Sequence, residues 1–261
     1  MKLHRIKAML LNYYYFSINS MDRIFDMIYW PVLDILIWGF VTYYISGLSN
    51  LNVVNAILGA IVLWVFIWRA SQDIVVYLLE SYWSRSVYYL FSSPVKSSEV
   101  IASLCILGLI RGFISFAILN VLAFVLYQFN IFNINLFHIT IFITLLTLLG
   151  WGLGILVSSS VFIFGSRVQV LAWSTIWIFQ PFSCVFYPLN ALPPWAANIS
   201  KFLPTTHVFE GLRASINNQP LNYASLIYAL VVTLLFLIFA SVILAISVHI
   251  ARKKGSFAKP E

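Results

Sequence analysis

Four charged residues interrupt stretches that are otherwise apolar enough to cross a bilayer: Asp34, Arg69, Asp73 and Arg111. Charge at membrane depth is costly, so such residues pair with an opposite charge or serve an ion or proton path. Arg69 and Asp73 stand four residues apart, a spacing that brings two side chains onto one helix face. Asp34 and Arg111 have no local partner of opposite sign, so the expectation is an ion pair between their helices. That pair reads first as structural and second as a gate or proton site.

Other chemistry finds no support. His4, His138, His207 and His249 are scattered without metal-ligand spacing, and carboxylates do not recur in pairs at one depth. Cys105 and Cys184 lie in different apolar stretches and read as small core residues. A phosphate-binding loop ends in Gly-Lys-Ser/Thr, and the chain has no Gly-Lys dipeptide. The expectation is therefore no catalytic group, no metal and no cofactor on this chain. Any uphill transport would draw its energy from a partner or an ion gradient.

The elements that hold these charges are membrane helices. Residues 112–166 and 214–251 carry no Asp, Glu, Lys or Arg. Of the 261 residues, 9% are charged and 62% hydrophobic, and the mean hydropathy is +0.94. A spanning helix takes about 20 apolar residues. Six stretches meet that requirement, at about 27–46, 53–79, 100–127, 136–164, 168–187 and 223–249. The fold expected is a single all-α integral membrane domain over 1–261 with six transmembrane helices.

The charge of +7 is an orientation signal, not a nucleic-acid patch. Lys2, Arg5, Lys7, Arg23, Arg85, Lys96, Arg167, Arg252, Lys253, Lys254 and Lys259 fall on one side of the six spans, and only Lys201 and Arg213 on the other. The positive-inside rule places the first set, and with it both termini, in the cytoplasm.

Three segments lie outside the spans. Residues 1–22 alternate Lys2, Arg5 and Lys7 with Leu3, Ile6 and Leu10 and then run into Tyr13-Tyr14-Tyr15-Phe16, the pattern of an amphipathic helix lying in the interface. Residues 81–98 form a polar cytoplasmic stretch with Tyr82, Trp83, Tyr88 and Tyr89, suited to filling a groove on a partner or to an ordinary aromatic belt. Residues 188–216 are mostly apolar yet broken by Pro188, Pro193, Pro194 and Pro204 into pieces too short to span. They are expected to form two short helices that re-enter the outer leaflet, hinged near Leu203-Pro204-Thr205.

These segments carry a resemblance. Leu192-Pro193, Leu203-Pro204-Thr205-Thr206, Glu210 and Arg213 resemble the outer re-entrant segment of type-2 ATP-binding-cassette (ABC) exporter permeases. Glu80-Ser81-Tyr82-Trp83-Ser84-Arg85 through Ser93-Pro94-Val95 resembles that family's cytoplasmic stretch between its second and third spans. Tyr29-Trp30-Pro31 to Trp38-Gly39 resembles its first span. The resemblance covers essentially the whole chain.

It implies the membrane-spanning subunit of an ATP-driven exporter in a bacterial plasma membrane. Two copies would form the path between their first, second and fifth spans, surrounded by lipid. A separate cytoplasmic ATPase subunit, binding ATP and Mg, would dock on 81–98 through Glu80, Tyr82, Trp83, Arg85, Tyr88 and Pro94. Pro193, Pro194, Pro204, Glu210 and Arg213 would form an outer gate. The alternative is a gradient-driven carrier using Asp34 and Arg111, although the duplicated halves usual for such carriers are not found. A membrane enzyme is a third reading and lacks its polar cluster. The substrate stays open between a polysaccharide or lipid-linked glycan and a drug-like small molecule.

Overall fold

The computed structural model describes residues 2–46, 51–84, 86, 89 and 93–254, and these build an all-α protein. Nine α-helices occur among them: α1 (Leu3–Asn19), α2 (Met21–Ser46), α3 (Leu51–Trp83), α4 (Ser97–Tyr127), α5 (Leu136–Phe164), α6 (Gln169–Phe179), α7 (Pro194–Ser200), α8 (Pro204–Ile216) and α9 (Tyr223–Lys254). Arg85 and Tyr88 lie outside the described residues.

Among the described residues, five helical stretches are long and apolar enough to cross a membrane: Met21–Tyr44, Asn52–Trp83, Ser97–Tyr127, Leu136–Phe164 and Tyr223–Lys253. The expected span at 168–187 is not one long helix. It is built from the 3-10 turn Gly165–Val168, the eleven-residue α6 and a second 3-10 turn, Gln180–Ser183. Pro181 lies in that second turn, where its ring and missing N–H disfavour α-helix. Cys184 then takes a left-handed conformation, φ 52°, and reverses the chain.

Helix α3 is the centre of the bundle. Its apolar window is 78% buried, against 17% for α2. Its residues Leu58, Leu63, Phe66, Ile67 and Ile74 are fully enclosed. On one side it packs against α2 and α4, which α1 also touches; on the other it packs against α5 and α8, which α9 also touches. Helices α4 and α5 barely meet each other. Between them runs an apolar groove of about 410 Å³ lined by Phe113, Phe116, Ile143, Thr147 and Trp151, among others.

Close approach of α5 to α3 depends on two glycines. A Cβ on Gly150 would stand 2.7 Å from the Ala70 Cβ and from the Ile67 carbonyl oxygen, and one on Gly154 would stand 2.8 Å from the Ser71 oxygen. Helices in lipid gain no hydrophobic drive toward each other, so small residues that admit close backbone contact hold them together.

Helix α1 meets α2 at a corner one residue wide, Ser20, in extended conformation. Its buried stripe is Ile6, Met9 and Tyr13, while Leu3 is 83% exposed. Met9 and Tyr13 share a cluster with Tyr77 of α3, Val100 of α4 and Val248 and Ala251 of α9. The first helix and the last turns of α9 therefore lie at the same end of the bundle.

In place of a single loop, 188–216 holds the 3-10 turn Leu189–Ala191 and the short helices α7 and α8. Pro194 and Pro204 open α7 and α8, at the position where proline's missing N–H costs nothing. The break falls at Lys201–Leu203, beside the expected hinge. Helix α8 buries Val208, Phe209 and Leu212 against the core.

Candidate functional site

The glycine-lined approach of α5 presses on the turns of α3 that carry Arg69, Gln72 and Asp73. All three side chains are buried: Arg69 is 1% exposed, Gln72 4% and Asp73 3%. The expected pair within α3 does not form. Arg69 turns toward α2 and donates through Nη1 to Asp26 Oδ2 at 2.7 Å and through Nη2 to the Asp26 carbonyl at 2.6 Å. Asp73 is taken by Arg111 of α4, whose Nη1 lies 2.5 Å from Asp73 Oδ1. Arg111 also reaches the Arg23 carbonyl at 3.1 Å and Asp26 Oδ2 at 3.6 Å.

The expected pair between Asp34 and Arg111 is also absent. Asp34 has no ion-pair partner among the described residues, and it is half-buried on α2. The reason is depth. Arg111 lies level with Arg23 and Asp26, and Asp34 is eight residues further along, about 12 Å at the α-helical rise.

A third pair closes the cluster. Arg23 pairs with Glu80 near the end of α3 and lies over the Tyr77 ring, 3.4 Å from its centroid. Three arginines thus meet three carboxylates from α2, α3 and α4. Arg23 and Asp26 were not among the expected intramembrane charges, because they sit at the rim of an apolar stretch and read as flanking residues. Charges of both signs at Asp22, Arg23 and Asp26, at helical spacing, were the available signal.

Pro31 helps position α2 here. It cannot donate a backbone N–H, which frees the Met27 carbonyl one turn back. The Ser115 hydroxyl of α4 donates to that carbonyl at 3.2 Å.

The cluster floors a cavity of about 420 Å³, whose lining also includes Asp22, Val76 and four tryptophans: Trp30, Trp68, Trp173 and Trp177. Trp68 and Trp177 meet edge to face at 5.6 Å. Gln72 donates through Nε2 to the Ala172 carbonyl at 2.6 Å, fixing α6 as one wall.

At the end of the bundle that holds α1 and the last turns of α9, α1 is tied to the start of α4. Arg5 donates to the Pro94 carbonyl and lies 3.6 Å from Glu99 Oε2. Glu99 Oε1 accepts from the Lys2 backbone N–H at 2.7 Å, and its Oε2 accepts from the Lys96 N–H at 3.0 Å. Glu80, Tyr82 and Trp83 belong to the last turn of α3, not to a separate helix. Trp83 is exposed, while Tyr82 turns inward beside Phe162.

At the opposite end, Arg213 of α8 holds the reversal after α6. It donates to the carbonyls of Cys184, Val185 and Tyr187 and contacts Glu210 Oε1 at 3.1 Å. Glu210 accepts from the Leu189 N–H at 2.8 Å. Burial lowers the affinity of the Arg213 guanidinium for its proton, and these acceptors offset that cost. Pro193 leads into α7 and Pro204 opens α8.

Residues 13–217 match the family described as ABC-2 type transporter. The chain belongs to that family. The match starts within α1 and ends just after α8, so it takes in the charge cluster, the tryptophan cavity and the Arg213 staple. An ABC-2 type transporter with five long apolar helices is a multi-pass membrane protein and a transport subunit. Comparison with the curated proteins gives no match. Among the described residues, no cluster of His, Cys, Asp or Glu could hold a metal ion.

Proposed function

We propose that this ABC-2 type transporter is the permease subunit of an ATP-driven exporter, working as a dimer with a separate cytoplasmic ATPase. The family match over 13–217 carries the reading. The second copy would cover the exposed apolar face formed by Phe25, Trp30, Ile37 and Phe40 of α2 with Trp173 and Trp177 of α6. The path would run between α2, α3 and α6 of the two copies, with the tryptophan cavity opening into it.

Under this reading α6 and its flanking turns complete a sixth, discontinuous crossing. That count puts both termini on the cytoplasmic side of a bacterial plasma membrane. Helices α7 and α8 then re-enter from the outer side, with Pro193, Pro194, Pro204, Glu210 and Arg213 shaping an outer gate. Burial of Val208, Phe209 and Leu212 against the core supports that placement.

The ATPase would dock on 81–98, where Trp83 is exposed, and on Arg85 and Tyr88 in the same segment. Arg5 and Glu99 join that segment's exit to α1, so motion at the docking site would move α1 and, through Ser20, α2. The alternative, a gradient-driven carrier, would use Asp34 and Arg111 as separate groups, since the two do not pair.

The test is purification of the tagged chain in mild detergent with identification of co-purifying chains and an ATPase assay. A stoichiometric ATPase subunit, lost when 81–98 is scrambled, is expected. A folded oligomer without one would refute the assignment. In a coupled complex, Glu80→Gln and Arg85→Ala should leave ATP hydrolysis running while transport falls.

A further inference from the structure

We infer that the outward face of α1, together with the last turn of α9, is a docking surface for an anionic phospholipid leaflet. It takes the lipid phosphates at its basic end and the acyl chains along its apolar end. The inference requires only that the chain is a multi-pass membrane protein, not that it couples to an ATPase.

Packing fixes which face of α1 is free. Ile6, Met9 and Tyr13 are buried against the bundle, and Arg5 and the Lys2 N–H are tied to Glu99. Residues three and four apart share a helix face. The other side therefore carries Leu3, Lys7, Leu11, Tyr14 and Ile18 as one stripe, all exposed. A helix face turned to water is polar, but after Lys7 this helix holds no charged residue. Apolar surface beside a basic first turn is the pattern of a helix set into the headgroup boundary.

Charge comes from both ends of the chain. Lys2, His4 and Lys7 are exposed on or just before the first turns of α1, and Arg252 and Lys253 are exposed at the end of α9. Met9 and Ala251 are buried in one cluster, which brings the two basic runs to one end of the bundle. The carboxylates nearby are committed elsewhere. Glu99 is 1% exposed and accepts from two backbone N–H groups beside Arg5, and Glu80 is paired with Arg23. Asp22 is exposed but lies beyond the far end of α1, about three helical turns from Lys7.

The order of the two surfaces selects the occupant. Basic residues followed along one stripe by apolar ones match a leaflet in section, phosphate first and hydrocarbon next. A free phosphate would satisfy Lys7 and leave Leu11 and Ile18 in water. A zwitterionic headgroup carries its own cation, which offsets the attraction of its phosphate. Against an anionic leaflet each Lys or Arg near the surface strengthens binding about fivefold.

The experiment titrates the full chain, in mild detergent, with phosphatidylglycerol and with phosphatidylcholine, and counts bound lipid by native mass spectrometry. Preference for phosphatidylglycerol is expected. It should fall about fivefold in Lys7→Gln and in Lys253→Gln, and about 25-fold in the double variant. Lys201→Gln, exposed beside α8 at the opposite end, should leave it unchanged. Leu11→Gln with Ile18→Gln should also weaken phosphatidylglycerol binding. All these positions are exposed, and an unchanged melting temperature checks that each variant keeps its fold. Equal binding of the two lipids, or an equal loss in Lys201→Gln, would overturn the inference. So would displacement of the lipid by inorganic phosphate with no effect of the Leu11 and Ile18 changes, since the site would then hold a free anion. Loss of a co-purifying ATPase in the lysine variants, with lipid preference intact, would assign the surface to a protein partner and overturn it as well.

Discussion

Arg69 sits one turn from Asp73 on the same helix, yet its guanidinium goes to Asp26 on α2, 2.7 Å away. Helix α3 thereby spends its buried cation on a neighbour instead of on itself, and α2 is fixed at its first turns. Asp26 keeps 40% of its side chain exposed, so water still screens part of the pair. Asp26→Asn should lower stability by an amount between the roughly 1 kcal/mol of an exposed pair and the roughly 3 kcal/mol of a buried one. Thermal unfolding in detergent reads this; a loss above that of Asp73→Asn would contradict the ordering.

The pair between Arg111 and Asp73 is more deeply enclosed, at 8% and 4% side-chain exposure. Removing one partner leaves a buried charge without compensation, at a cost of about 3–5 kcal/mol. The double replacement Arg111→Met with Asp73→Leu should cost much less than the two single changes added together. A double-mutant cycle with additive losses would show that the two residues act independently.

Asp34 offers a contrast. It has no ion-pair partner among the described residues, so Asp34→Asn breaks no ion pair, and its effect on stability should stay within about 0.5 kcal/mol. If Asp34→Asn abolished transport while leaving the melting temperature unchanged, Asp34 would be functional without belonging to the cluster.

The glycine contact between α5 and α3 is intolerant of added volume. Gly154→Val would drive a β-branched side chain into the Ser71 backbone, which is unable to move aside as a flexible side chain could. The expected result is loss of folded protein in detergent, read by size-exclusion chromatography, whereas Gly154→Ala should retain some. Normal yield of the valine variant would refute the close approach.

Glu99 joins two backbone N–H groups and Arg5 at one point. Glu99→Gln keeps the side-chain size and one acceptor but removes the charge. It should free the first turns of α1, seen as faster protease cleavage near Lys2–Lys7, with the rest of the bundle intact. Unchanged cleavage would show that burial of Ile6, Met9 and Tyr13 alone retains the helix.

The all-α bundle, its long helices and the paired short helices at 188–216 were legible in the sequence, because lipid demands long apolar runs and proline marks where helices start. The partners within the charge cluster were not. Spacing along one helix suggested Arg69 with Asp73, but partner choice is decided by depth and by which helices adjoin. The broken helix at 165–183 was hidden for a related reason: its composition is as apolar as a span's, and only Pro181 and the left-handed Cys184 interrupt it. The cavity was invisible, since its tryptophans come from three helices far apart in the chain.

Helices α4 and α5 barely touch, and each leans on α3 instead. The bundle therefore has two wings hung on one post. A lesion at Gly150 on one wing and a lesion at Asp26 on the other act on the same few turns of that post. In genetic terms, suppressors of a bulky change at Gly150 should arise on α2 and α4 as well as on α5, across a boundary that direct contact would not suggest.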